Sequence, residues 1–189
     1  MDSFVFHNPT RDIFGAGALS KLSRELPKLG ISKPLIVIGQ GSVIKYGHLH
    51  RLEKILLQLE IPFTLFQGIC PNPTTDDIEN AVKILKGENC DSLIALGGGS
   101  VMDSAKVIAL VADQGGKAWD YTGSFLAKGA PVKTALPIIT IPTVAATGSE
   151  ADPIAVISNP HLQIKNSISG FALFPKLAIV DPELTLTCP

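Results

Sequence analysis

Charged residues are scarce in this sequence. Asp, Glu, Lys and Arg make up 17% of its 189 residues, below the usual share of about 25%, and the formal net charge is −1. So close to neutrality, the chain offers no bulk electrostatic attraction for nucleic acid. Hydrophobic residues account for 46%, which excludes a disordered chain and suffices for a sizeable core. The low charge also indicates that part of the surface is normally covered by something else.

Cysteines are few as well. The sequence contains Cys70, Cys90 and Cys188 and no C-x-x-C pair. An odd number without that spacing indicates neither a disulfide framework nor a thiolate zinc site, so we expect a reducing, cytoplasmic setting. The first seven residues lack the basic flank and apolar core of a signal peptide. The longest clean apolar run, 107–112, is far shorter than the ~18 residues that span a bilayer, so we expect no membrane partner.

Several common catalytic motifs are missing. The sequence has no G-x-S-x-G nucleophile elbow, no H-E-x-x-H zinc motif and no P-loop. His48 and His50 are two residues apart and would not share a helix face. We therefore expect solvated histidines and no metal site within the chain. No basic patch interleaved with aromatic residues predicts a nucleic-acid partner.

The apolar pattern predicts alternating strands and helices. Strands are predicted at 35–38, 63–66, 93–96, 136–141 and 177–180, and helices at 48–59, 75–85 and 101–112. The strand runs are continuously apolar, as in strands covered by helices on both faces. The expected fold is therefore α/β, an open doubly wound, mostly parallel sheet of Rossmann-like type. The polar segment 142–166 predicts loops and a small β-hairpin, and the absence of an internal linker predicts one domain over 1–189.

The strongest local signal is a run of glycines between a strand and a helix. Gly97, Gly98 and Gly99 follow the strand at 93–96, and Ser100 opens the helix. Glycine lets a bulky anion approach the backbone, and free N–H groups at a helix start favour phosphate. The alternative is a plain turn with a capping box, because Ser100 and Asp103 have S-x-x-D spacing. Lys106 can share a helix face with Asp103 and pair with it or with a ligand phosphate.

Three further segments resemble ligand-binding turns more weakly. Gly15–Gly17 and Gly39–Gly41 both begin like G-x-G-x-x-G but lack the third glycine. The first is best explained as a loop-to-helix turn, whereas the second directly follows a strand and can lie at the ligand edge of the sheet. The hydroxyl-rich segment 142–150 could donate hydrogen bonds to a nucleotide or be an ordinary Ser/Thr turn with a helix cap.

Taken in order along the chain, these stretches resemble the iron-containing (group III) alcohol dehydrogenase family. The matching stretches are Phe14-Gly15-Ala16-Gly17, Pro71-Asn72-Pro73-Thr74, Gly97-Gly98-Gly99-Ser100 with Asp103 and Lys106, Pro142-Thr143 through Thr147-Gly148-Ser149-Glu150, and Ala178 through Thr185. The resemblance implies that this chain is the family's N-terminal dinucleotide-binding domain. The helical C-terminal domain, in which one aspartate and three histidines hold iron or zinc, is expected to be absent from it.

The resemblance also implies a set of cofactor-site residues, although it supplies no catalytic base within the chain. In NAD-preferring relatives an aspartate stands at the position of Gly39, whereas here Lys45 follows a turn without a carboxylate. An acid at that place binds the ribose 2′-hydroxyl and repels a 2′-phosphate, so we expect NADP rather than NAD. The implied cofactor-binding residues are Gly39, Gly41, Ser42, Asn72, Gly97, Gly98, Gly99, Ser100, Asp103, Thr143, Thr147, Ser149, Lys165 and Val180, with Asp103 near the nicotinamide end.

The activity implied by the resemblance is reversible hydride transfer between NAD(P)H and an aldehyde, ketone or alcohol. The cofactor would supply the hydride and the metal of the complete enzyme would polarise the carbonyl. Two alternatives remain open: a nucleotide-binding module without activity, and a polyol dehydrogenase or reductase of the same architecture. The expected partners are a small alcohol or aldehyde, the helical C-terminal domain and a second copy of the chain.

Overall fold

The computed structural model describes residues 3, 5, 7–123 and 129–188. Most of the N-terminal residues on which the signal-peptide argument rests lie outside this part. Within it, parallel strands form one sheet in the order β1-β8-β5-β4-β2-β3, and β6 and β7 form a separate antiparallel hairpin. The strands are β1 (Arg11–Phe14), β2 (Pro34–Gly39), β3 (Thr64–Ile69), β4 (Ser92–Gly97), β5 (Ile138–Pro142), β6 (Ile154–Asn159), β7 (Ile164–Ser169) and β8 (Leu177–Val180).

Helices cover both faces of the sheet. They are α1 (Leu22–Glu25), α2 (Ser42–Lys45), α3 (His48–Gln58), α4 (Thr75–Gly87) and α5 (Gly99–Gln114), and short 3-10 turns join several elements. Alternate residues of a strand point to opposite faces. Thus Leu35 and Val37 of β2 pack with α4 and α5, and Ile36 and Ile38 pack with α1 and α3. The doubly wound, parallel α/β fold predicted from the sequence is confirmed.

The predicted strands and helices are present, with shifts at their ends. The hairpin predicted within 142–166 exists, but its second strand continues to Ser169. The edge strand β1 had not been predicted. It pairs in parallel with β8, from Arg11 opposite Leu177 to Phe14 opposite Val180.

The order of the strands creates a switch point between β2 and β4. From β2 the chain moves outward to β3, whereas from β4 it moves in the opposite direction to β5. The two strands are hydrogen-bonded neighbours, and both run from Pro34 and Ser92 toward the same edge. Gly39 and Gly97 therefore end side by side at the place where open α/β sheets bind ligands.

Candidate functional site

The glycine turn after β4 presents backbone N–H groups at the start of a long helix. Gly98 is the N-cap of α5, and its carbonyl accepts hydrogen bonds from the amides of Val101 (3.0 Å) and Met102 (3.2 Å). Among the residues that the structure describes, the amides of Gly99 and Ser100 donate to no acceptor. The 16-residue helix adds its dipole at this end. The turn therefore offers two free donors and partial positive charge to an anion.

The three glycines of the turn have different roles. A Cβ at Gly97 would stand 2.8 Å from Cγ2 of Val101, so this glycine allows close packing of helix on strand. A Cβ at Gly98 would stand 3.1 Å from Cγ1 of Val144, so the loop after β5 can approach the turn. Across residues 7–123 and 129–188, the atom nearest to a Cβ at Gly99 would be Cβ of Ala146, 3.8 Å away. The absence of a side chain at Gly99 is thus not required by packing within the protein.

The alternative explanation of this turn, a capping box between Ser100 and Asp103, is wrong. Ser100 lies inside α5, since the cap residue is Gly98. One carboxylate oxygen of Asp103 accepts the hydroxyl of Ser149 at 2.6 Å and the other accepts the amide of Val156 at 3.0 Å. Burial raises the pKa of Asp103, while the hydrogen bonds from Ser149 and Val156 oppose that rise. Asp103 therefore joins the helix to segments far along the chain.

The sequence suggested that Lys106 pairs with Asp103 or with a ligand phosphate. In the structure its ammonium is bound by other groups of the protein. Lys106 lies in the middle of α5, and its side chain is fully buried. Its ammonium donates to the Ser149 hydroxyl (2.9 Å), to an Asp152 carboxylate oxygen (2.7 Å) and to the carbonyl of Ile154 (2.8 Å). The expected direct pairing with Asp103 is replaced by an indirect one through Ser149. Burial lowers the pKa of Lys106, and the hydrogen bond to Asp152 opposes this.

The turn after β2 contains no carboxylate. Gly41 has φ of 140°, and Ser42 begins α2 with an exposed side chain. Lys45 is exposed and places its ammonium 5.3 Å from the centre of the Tyr46 ring. A Cβ at Gly39 would find ordinary contacts, 3.6 Å from the carbonyl of Ile69 and 3.8 Å from a methyl group of Val101. The missing acid at Gly39 is therefore not forced by lack of space.

Two grooves meet at Gly98. One, of about 270 Å³, runs toward the β2 turn, and the other, of about 360 Å³, lies beside α2 and the loop after β5. The first is lined by Gly39, Gln40, Ile69, Pro71, Gly98, Gly99, Ser100 and Val101. The second is lined by Ser42, Val43, Tyr46, His48, Gly98, Thr143, Val144, Thr187 and Cys188. Several of the sequence-predicted residues thus surround one turn.

The hairpin brings a second group of these residues toward the sheet edge. The ammonium of Lys165 donates to the side-chain oxygen of Asn72 at 2.7 Å. The amide of Ser158 donates to the carbonyl of Pro73 at 2.8 Å, so β6 is joined to the segment before α4. Asn72 has φ of 61°, a left-handed conformation that asparagine tolerates well.

The remaining predicted residues occupy different surroundings. The amide of Thr143 donates to the carbonyl of Gly97 at 3.1 Å, and Thr147 is exposed in the same loop. Ser149 is 1% exposed and its hydroxyl is engaged by Lys106 and Asp103, so only its backbone remains for any ligand. Val180 ends β8, two strands away from β4 at the same edge.

The histidines do not gather at the site. His48 is buried rather than solvated, with Nε2 3.1 Å from the hydroxyl of Thr187. Burial, aided by Arg51, lowers its pKa. Across the described residues, no three His, Cys, Asp or Glu side chains come together as a metal site. None of the helices in that part is both long and apolar enough to cross a membrane.

Sequence reasoning missed the contribution of Asp152 and the burial of Lys106. The ammonium and its acceptors are separated by 43 to 48 residues, so no local spacing signals the contact. Lys106 directly precedes the apolar helix run 107–112, and this is the sequence signal that could have suggested a buried partner.

The fold and the glycine turn before α5 together define a class of protein. It is a doubly wound α/β protein whose helix α5 begins at the switch point of the sheet and can bind an anion there. A family model described as iron-containing alcohol dehydrogenase matches residues 9–182. NADH-dependent butanol dehydrogenase B of Clostridium acetobutylicum is 40% identical over 189 residues, which cover 100% of this chain and 47% of the relative. NADPH-dependent aldehyde reductase YqhD of Escherichia coli is 36% identical over 193 residues, which cover 100% of this chain and 48% of the relative.

A solved structure is also similar to this chain in fold and in sequence. The crystal structure of NADH-dependent butanol dehydrogenase A from Thermotoga maritima matches with a TM-score of 0.92 and 37% identity, covering 100% of this chain and 46% of that one. The chain belongs to the iron-containing alcohol dehydrogenase family, as the motifs had indicated. It spans about half the length of the relatives it matches.

Proposed function

We propose that this chain, residues 1–189, is the dinucleotide-binding unit of an oxidoreductase that moves a hydride between NADP(H) and an alcohol, aldehyde or ketone. The observation that carries the proposal is the pair of free amides at Gly99 and Ser100, at the start of α5 and at the switch point of the sheet. A diphosphate there receives two backbone hydrogen bonds and the positive end of the helix dipole. Membership of the alcohol dehydrogenase family supports the reaction class.

The rest of the coenzyme extends from this turn in two directions. Its adenosine ribose lies at the end of β2, where Gly39 and Ser42 stand beside Gly98. Its nicotinamide half reaches toward the hairpin, where Lys165, Asn72 and the helix residue Asp103 are found. Thr143, Thr147, Val180 and the backbone of Ser149 complete the lining from the loop after β5 and the end of β8. This placement uses every residue that the resemblance implies except Gly41 and Gly97, which shape the turns after β2 and β4.

A preference for NADP over NAD rests on the β2 turn. No carboxylate stands at Gly39, Gln40 or Gly41 to repel a 2′-phosphate, and the exposed Lys45 adds a positive charge nearby. The names of the relatives include both NADH-dependent and NADPH-dependent enzymes, so the support for NADP comes from these residues.

The chain's contribution to the reaction is binding and orientation. The coenzyme supplies the hydride, and the glycine turn and hairpin hold its two halves at fixed positions. The described residues bring together no set of metal ligands. We identify no general base among them. The metal, iron or zinc in the family, and the substrate pocket are proposed to come from outside these residues.

Direct binding and turnover test the proposal. The purified chain is titrated with NADPH and with NADH, following the nicotinamide fluorescence. The expected result is saturable binding of both, with NADPH bound more tightly. The same preparation is assayed with NADPH, Fe²⁺ or Zn²⁺ and a panel of aldehydes and polyol-derived ketones. Binding without turnover identifies a nucleotide-binding module, turnover only of polyol-derived ketones identifies a polyol dehydrogenase, and no binding of either coenzyme contradicts the proposal.

The proposed partners and setting follow from the same reasoning. We propose a cytoplasmic protein, which is supported by three free cysteines without a disulfide among the described residues. The exposed edge strand β1, whose Phe14 is 76% exposed, supports contact with a second copy or with the family's helical domain. Light scattering coupled to size exclusion measures the mass, for which a dimer is the expected result.

A further inference from the structure

Lys106 is at the centre of a buried polar cluster that the proposed binding of coenzyme does not use. All three protons of its ammonium are directed to acceptors on one stretch of chain: Ser149, Asp152 and the carbonyl of Ile154. That stretch links the loop after β5 to the first residue of β6. Lys106 therefore fastens the middle of α5 to the base of the hairpin.

Lys106 also fixes which group donates in the hydrogen bond between Ser149 and Asp103. Because the ammonium of Lys106 donates to Ser149 Oγ, the single hydroxyl proton of Ser149 is left for Asp103, 2.6 Å away. The second oxygen of Asp103 accepts the amide of Val156 in β6. Both oxygens of this carboxylate are thus held by donors, and the orientation of one donor depends on Lys106.

The ammonium of Lys106 is the positive charge at the centre of this cluster. The side chain of Lys106 is 0% exposed, whereas that of Asp152 is 30% exposed. A buried ammonium requires paired acceptors, and one lysine here offsets the carboxylates of Asp152 and, through Ser149, of Asp103. Loss of the ammonium would leave two carboxylates near each other without a cation and free the hydroxyl of Ser149 to turn.

We propose that Lys106 is a positioning residue for the nicotinamide half of the coenzyme site, acting through Ser149 and the base of the hairpin on Asp103 and Lys165. The inference rests on the proposed function. The hairpin carries Lys165 to Asn72 and its first strand holds Asp103, so its attachment to α5 sets where these groups stand. Neither the glycine turn nor the β2 turn takes part in the hydrogen bonds of this cluster.

Two ligands separate this role from general stabilisation of the fold. NADPH occupies both halves of the site, whereas 2′,5′-ADP occupies only the β2 and glycine turns. In Lys106→Met, which keeps the length and apolar stem, we expect the Kd of NADPH to rise about tenfold while that of 2′,5′-ADP changes less than about twofold. Ser149→Ala, which keeps the ammonium with Asp152, should raise the Kd of NADPH by about three- to fivefold. Circular dichroism reports whether each variant is folded.

Lys83→Met, at an exposed lysine of α4, is the matched control and should alter neither Kd. Equal weakening of both ligands in Lys106→Met would show a general structural brace and overturn the proposal, as would no change in either. If Lys106→Met does not fold, Ser149→Ala decides by the same comparison. A wild-type chain that binds neither ligand would refute the proposed function itself, which is a different result from equal weakening.

Discussion

At the scale of single residues, the site depends on what Gly99 lacks. Its amide and that of Ser100 are free donors of the turn, and no neighbouring atom in the described part of the chain requires a glycine there. Gly97 differs, because a side chain at that position would press against Val101. The two glycines therefore allow binding and folding to be separated by substitution.

The substitution Gly99→Ala should preserve the fold and weaken the binding of NADPH. The new methyl group meets no atom of the described residues closer than 3.8 Å, and alanine favours helix over glycine by up to about 1 kcal/mol. It would, however, stand where a diphosphate approaches the helix start, so the Kd of NADPH should rise by about tenfold or more. Fluorescence titration and thermal unfolding measure the two effects. Gly97→Ala is the comparison, with a lower melting temperature expected because of the 2.8 Å contact with Val101.

Gly39→Asp should reverse the coenzyme preference. The site has room for a side chain, and a carboxylate there can accept a hydrogen bond from a ribose 2′-hydroxyl while repelling a 2′-phosphate. We expect the ratio of NADPH to NADH affinity to fall by about 100-fold, since repulsion and a new hydrogen bond act together. Gly39→Asn supplies the same bulk without the charge. Equal ratios in Gly39→Asp and the wild type would show that the ribose lies elsewhere.

At the scale of elements, the sequence predicts those strands and helices that a local residue pattern defines. The continuous apolar run of β2 and the 3.6-residue period of α3 were enough to predict both elements. Strand β1 was missed because Arg11–Phe14 is short, largely exposed and defined only by pairing with β8, over 160 residues away. The contacts of Lys106 were missed for the same reason, since its acceptors are remote in sequence. The glycine turn, by contrast, is local, and its location next to β2 follows from the strand order alone.

The carboxylate of Asp91 links two elements of the fold, and its contribution to stability should depend on pH. Its carboxylate accepts the amides of Ser32 (2.7 Å) and Lys33 (3.2 Å), so it joins the turn before β2 to the start of β4. Burial raises the pKa of Asp91, but hydrogen bonds from Ser32 and its neighbours outweigh this and lower it below 3.8. Asp91→Asn should therefore reduce the free energy of unfolding by about 1–2 kcal/mol at neutral pH, because an amide cannot accept at every position that the carboxylate does.

The sign of the pH effect follows from the lowered pKa. A carboxylate held ionised in the folded state contributes stability above its unfolded pKa and loses it as the pH falls through the folded value. The difference between wild type and Asp91→Asn should thus be full at neutral pH and shrink below 3.8. Urea unfolding at several pH values measures it. Asp113→Asn, at an exposed carboxylate of α5, should show no such difference, and a constant difference for Asp91→Asn would contradict the account.

At the scale of the whole molecule, topology turns separate motifs into one site. The turns after β2 and β4 are more than fifty residues apart in sequence, and become neighbours only because the chain reverses its winding between these strands. The hairpin then adds residues from a third region at the same edge. The chain spans about half the length of its relatives. Coenzyme binding is the part of the proposed activity that its own residues support most directly.

The amide resonances of Gly99 and Ser100 test the central claim most directly. In a ¹⁵N–¹H correlation spectrum recorded during titration with NADPH, both should shift in a saturable way, with the same Kd as the fluorescence titration. Gly30, in the turn before β2 at the opposite edge of the sheet, should not move. If the coenzyme saturates the protein while the Gly99 and Ser100 amides keep their positions, the diphosphate does not lie on this helix start and the account is wrong.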